Sequence, residues 1–91
     1  MANDLASNPW VFDTAAATIL YQGDIEVRHM EFVDYGVQGS LCVVKDRYGK
    51  VVWKATGAAD LEEVRSGPMG WIYGIAVTTL QNGGILRVYF V

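Results

Sequence analysis

Between Leu41 and Thr56 the chain reads LCVVKDRYGKVVWKAT, and this stretch leaves little choice of structure. Two valine-rich runs flank the polar tetrapeptide Asp46-Arg47-Tyr48-Gly49. In the second run Val51, Trp53 and Ala55 point one way while Val52, Lys54 and Thr56 point the other, the period of a half-buried strand. Gly49 supplies the positive φ that ends a tight loop. The stretch is a β-hairpin with Val51, Trp53 and Ala55 on its inner face. The other strands are expected to pair around it.

Strand signals recur on both sides of the hairpin. Residues 1–8 are small and polar and read as an N-terminal arm, with residues 9–91 as a single domain. Asn8-Pro9-Trp10 sets the boundary, because the residue before proline is pushed towards extended geometry. Trp10, Val11 and Phe12 then form a large apolar anchor. Thr14–Tyr21 mixes helix-favouring alanines with Thr18, Ile19 and Tyr21, and is taken as a strand that ends at a Gln22-Gly23-Asp24 turn. From Ile25 to Tyr35 the residues alternate, with Met30 and Phe32 on the core face. Ile25 and Val27 fall in the opposite phase, which calls for a bulge or for cover on both faces.

After the hairpin, Ala58–Arg65 has the acids Asp60, Glu62 and Glu63 and could form a turn or two of helix, closed by Ser66-Gly67-Pro68-Met69-Gly70. The whole 57–70 stretch is expected to cross between sheets. Trp71, Tyr73, Ile75 and Val77 then alternate on one face of a strand. Gln81-Asn82-Gly83-Gly84 reads as a hairpin turn, since Asn-Gly suits paired positive φ angles. Leu86, Val88 and Phe90 make one face of the last strand. Six or seven short strands with glycine turns predict an all-β domain, a β-sandwich or jelly-roll-like fold of mostly antiparallel strands.

Composition narrows the functional classes. Hydrophobic residues make up 52% of the 91. An average domain has about 45–50% by a tally that includes glycine and omits tyrosine. This chain has ten glycines and five tyrosines, so its true excess is larger. A domain this small cannot hide that much apolar surface, and an interface with copies of itself or with a larger partner is expected. The net charge of −3 argues against nucleic acid, which needs clustered cations. No apolar run approaches the ~20 residues of a membrane helix, and the start lacks the pattern of a secretory signal. A soluble chain made in a cytoplasm is expected.

No residue pattern announces catalysis, a metal or a cofactor. The single Cys42 falls on a strand and reads as a small buried hydrophobe. His29 stands alone, without partners at ligand spacing. Asp60, Glu62 and Glu63 lack cation-loop spacing and read as a solvated acidic loop. The hairpin is different: Lys45, Arg47, Lys50 and Lys54 face one acid, Asp46, in a chain with ten acids and seven cations overall. A charged tip serves solubility, or its basic end meets an acidic surface on a neighbour. Candidate partner contacts are therefore Lys45, Arg47, Tyr48 and Lys50 at the tip, with Trp10 from the anchor. Trp71, Tyr73 and Tyr89 are candidate stacking aromatics for a glycan, although such residues more often serve a core or an oligomer interface.

Asn8, Pro9, Trp10, Asp13 and Thr14, then Val44, Asp46, Gly49, Val51 and Trp53 in the hairpin, then Gly74, make a pattern that resembles a loose group of short virion proteins of tailed bacteriophages. The resemblance implies a structural virion component with a compact β fold, often a capsid decoration (cement) subunit bound between capsomers as a trimer or dimer. The implied partners are other virion proteins, the major capsid protein first, and the implied location is the virion. It carries no catalytic residues. A tail-, fibre- or baseplate-associated module recognising a host receptor or glycan is the alternative.

Overall fold

The computed structural model describes residues 8–15 and 21–91. Residues 1–7 of the expected arm and 16–20 of the expected Thr14–Tyr21 strand lie outside the described residues. Among the described residues seven strands follow in order: β1 (Trp10–Phe12), β2 (Tyr21–Val33), β3 (Leu41–Lys45), β4 (Val51–Thr56), β5 (Val64–Arg65), β6 (Gly70–Leu80) and β7 (Ile85–Phe90). All pairings are antiparallel, and the sheet runs β1-β7-β2-β6-β3-β4 with β5 set against β2. The all-β expectation holds.

Neither long strand keeps one partner. β2 pairs with β6 from Tyr21 to Val27 and with β7 from Val27 to Val33. β6 pairs with β2 up to Ile75 and with β3 from Ala76 onward. Strands that change partners at bulges form the corners of folded-over sheets. Here they wrap the sheet around one core containing Phe12, Val27, Met30, Phe32, Val44, Val77, Leu86 and Val88. The radius of gyration is 11.9 Å, close to the ~12 Å expected of a compact chain this long.

The bulge needed to reconcile Val27 with Met30 is present. The β2–β7 register shifts between Val27 and His29, so Val27 and Met30 are both buried. The expected Gln22-Gly23-Asp24 turn is instead an irregularity inside β2, where the register against β6 shifts between Tyr21 and Asp24. The β3–β4 hairpin forms as expected, with Ala55 buried and Trp53 half-buried. Val51, however, is exposed, because the register slips between Val44 and Lys45 as the strands reach the tip.

Two further expectations give way. Ala58–Arg65 is not helical. Leu61 has a positive φ of 60°, Asp60 Oδ1 accepts from Glu62 N at 3.1 Å, and the segment hangs on the buried Tyr35. The Tyr35 hydroxyl accepts from Ala58 N at 3.0 Å and donates to the Glu62 carbonyl. Side-chain bonds of this kind compete with a helix for the same backbone groups. The Asn82-Gly83 turn has both positive φ angles, 57° and 70°, with Gly84 N donating to Gln81 O at 3.0 Å. Yet β6 and β7 do not pair with each other: β3 takes the end of β6, and β1 and β2 flank β7.

Candidate functional site

The hairpin tip is a rigid construction. Asp46 is buried, and its Oδ1 accepts from Tyr48 N at 2.9 Å and Lys50 N at 3.0 Å. Backbone bonds from Asp46 N to Lys50 O and from Gly49 N to Asp46 O close the loop. An aspartate bonded to the backbone two residues on is a familiar turn-former. It fixes the directions in which Arg47 and Tyr48 leave the loop.

Arg47 is tied to its own chain. Its Nη1 donates to Asp24 Oδ1 at 2.7 Å and to the Gln22 carbonyl at 3.1 Å, and its Nη2 donates to the Tyr48 hydroxyl at 3.0 Å. The guanidinium lies over the rings of Tyr48 and Tyr73, 5.0 and 5.8 Å from their centroids. Hydrogen bonds to Tyr48 and Asp24 hold its pKa above the ordinary arginine value. One of the four hairpin cations thus already meets an acid within the chain. Lys50 and Lys54 are exposed and Lys45 is half-buried. Trp10 is 6% exposed and packs on Tyr21 and Phe90, with ring centroids 4.6 and 4.8 Å away. It anchors the core and offers a neighbour little surface.

The aromatics of β6 lie elsewhere than the alternation predicts. Gly74 has φ of 85° and reverses the phase of the strand, so Ile72 and Ile75 both point inward. Trp71 and Tyr73 are consequently turned out, 61% and 47% exposed, while Ile75 and Val77 are buried. Close approach also requires glycine at this position. A Cβ on Gly74 would sit 2.8 Å from Arg47 Cβ and 3.1 Å from Tyr21 O. The backbone there is held by Arg47 N donating to Tyr73 O at 2.9 Å.

The segment before β6 completes the site. β5 and β6 run along the same edge of β2, with Arg65 opposite Glu31 and Gly70 opposite Val27. Ser66 stays on that path: its backbone N–H donates to Met30 O and its Oγ accepts from Met30 N. Gly67-Pro68-Met69 then departs, and Pro68 has no N–H to give a ladder. The departure leaves a groove of about 500 Å³ between these residues and β4, lined by Trp53, Trp71 and Tyr73 with Asp46, Lys50 and Ser66. Tyr48 and Val51, 72% and 48% exposed, extend the apolar surface around it.

A second polar cluster is structural. Glu31, 3% exposed, receives Arg65 Nε at 3.1 Å and Nη2 at 2.6 Å, while Arg87 Nη1 lies 3.8 Å away. Burial alone would push this carboxyl up, but hydrogen bonds from Arg65 and Tyr89 and the charge of Arg65 outweigh it and hold its pKa below the ordinary value. The cluster ties β5 and β7 to β2. Tyr89 itself stacks on His29 at 4.5 Å, away from Trp71 and Tyr73. Cys42 is buried, as expected, and burial pushes its thiol up to about 12. Asp60, Glu62 and Glu63 are exposed. Among the described residues no three His, Cys, Asp or Glu side chains converge as metal ligands, and no helix is long and apolar enough to cross a membrane. Set beside known proteins, the chain matches no family model, no curated protein and no solved structure.

Proposed function

We propose that this chain is a structural component of a tailed-bacteriophage virion, a capsid decoration subunit that works by contact and not by chemistry. The observation that carries this reading is a set of exposed apolar side chains: Tyr48 and Tyr73, whose rings both lie against the Arg47 guanidinium, and Val51 and Trp71, which line one groove with Tyr73. A 91-residue chain gains little by leaving such residues in water unless another surface covers them. Aromatics and arginine are also the residues most enriched at the centres of protein interfaces. The major capsid protein, with further copies of this chain as a dimer or trimer, is the proposed cover. Each added interface would lower the free energy of the assembled shell by mass action. Imaging of particles with and without the protein tests this. Regular density over the head and a less heat-resistant shell in its absence are expected; density confined to the tail, or a shell equally resistant without it, would overturn the reading.

A second reading is favoured by the shape of that face. Trp71 and Tyr73 border a concave groove with polar groups on its rim. This supports a tail- or fibre-associated module that recognises a receptor glycan.

A further inference from the structure

We infer that the groove between β4 and the Ser66–Tyr73 segment is a saccharide-binding site whose stacking platform is Trp71 and Tyr73. The inference rests on the second reading above. The two residues lie on one face of β6 with the buried Ile72 between them, which sets them roughly 6.6 Å apart along the strand. Gly70 and Gly74, with φ of 73° and 85°, bound this short segment. Both side chains therefore project from a strand hydrogen-bonded to β2, Trp71 61% and Tyr73 47% exposed, with the Arg47 guanidinium covering one face of the Tyr73 ring and leaving the other for a ligand. Trp53 on β4 lines the same groove.

A pyranose has an apolar C–H face and a rim of hydroxyls that both donate and accept. Aromatic ring faces suit the first, and mixed polar groups beside them suit the second. Here the Asp46 carboxylate and the Lys50 ammonium line the groove with the aromatics, while the Ser66 hydroxyl beside them is already engaged, donating to the Gly67 carbonyl at 2.9 Å and accepting from Met30 N at 2.8 Å. Asp46 uses Oδ1 to hold the loop, so Oδ2 is its remaining acceptor. The volume of about 500 Å³ falls within the roughly 300–1,000 Å³ typical of small-ligand sites. A proline-rich peptide would also suit the aromatics. It offers carbonyl acceptors and few donors, however, which leaves the carboxylate on the rim unmatched.

The test is titration of the full chain with a panel of neutral and uronic-acid-containing oligosaccharides, followed by tryptophan fluorescence. Saturable binding of at least one member is expected. Trp71→Ala and Tyr73→Ala should each weaken it about tenfold, while Lys54→Ala should not change it, and unfolding midpoints confirm that each variant is folded. Binding that survives both aromatic substitutions would overturn the groove assignment and leave the glycan reading standing. No saturable binding to any member, or saturation of the same tryptophans by a proline-rich peptide alone, would overturn both.

Discussion

Replacing Gly74 with alanine tests the joint at which β6 leaves β2 for β3. The backbone there has φ of 85°, and an L-residue in that region costs about 1–2 kcal/mol. The new methyl would lie 2.8 Å from Arg47 Cβ and 3.1 Å from Tyr21 O. Neither atom is the free end of a flexible side chain, so the backbone must shift, at a further cost of about 1–3 kcal/mol. Alanine also restricts the unfolded chain, which offsets roughly 0.4–1 kcal/mol. The expected net loss is about 2–4 kcal/mol, a large part of the roughly 5–14 kcal/mol available to a domain of this size. Gly83→Ala is the matched control, because Gly83 also has positive φ, 70°, but nothing lies within 4 Å of its added Cβ. Urea unfolding followed by tryptophan fluorescence measures both, with equal slopes as the condition for comparison. Equal losses in the two variants would refute the close-approach argument, and no loss in either would refute the backbone argument as well.

Other expectations follow from the polar contacts. Glu31→Gln should cost about 1–2 kcal/mol at neutral pH, at the low end because Arg65 and Arg87 are half in solvent. The folded pKa of Glu31 is depressed, so its stabilisation is present above the ordinary value of 4.5 and is lost as pH falls through the lower folded value. The gap between wild type and variant, read from urea midpoints, should therefore close on acidification; a constant gap would contradict the assignment. Asp46→Ala should cost about 1–2 kcal/mol and loosen the tip, whereas Asp46→Asn, which keeps an acceptor, should cost less. Faster amide exchange at Tyr48 and Lys50 in the alanine variant alone is the readout. Cys42 should resist a thiol reagent at pH 8 in the folded protein and react promptly in denaturant, since its thiol is buried with a pKa of about 12. Rapid labelling of the folded chain would contradict its placement.

How much of this could be read from the chain depended on whether a pattern was local. The β3–β4 hairpin and the Asn82-Gly83 turn were legible because their signals lie within a few residues. What joins the strands was not. The flanks of the Asn82-Gly83 turn pair elsewhere, since their partners are chosen by bends at distant residues. Gly74 reads as an ordinary strand glycine until its φ is known, and the whole facing of Trp71 and Tyr73 depends on that one angle. The groove was invisible for the same reason: it arises where Gly67-Pro68-Met69 breaks a strand path along β2 that runs in nearly one register from Val64 to Tyr73. A proline between two glycines, ahead of Trp-x-Tyr, is the available signal, and by local pattern alone it marks the end of a helix. Glu31 carried a weaker hint, as an acid between the core residues Met30 and Phe32, but its partners come from β5 and β7.

Trp71 and Tyr73 stand on the surface of the sheet and not in its core. The double variant Trp71→Ala, Tyr73→Ala puts that to the most direct test, with unfolding free energy measured beside attachment to particles and to saccharides. Core aromatics cost about 3–5 kcal/mol each on truncation, whereas surface residues cost little. The prediction is a stability within about 1 kcal/mol of wild type, together with loss of attachment to particles, to saccharides, or to both. A variant that unfolds readily, or one that is stable and keeps both attachments, would contradict it.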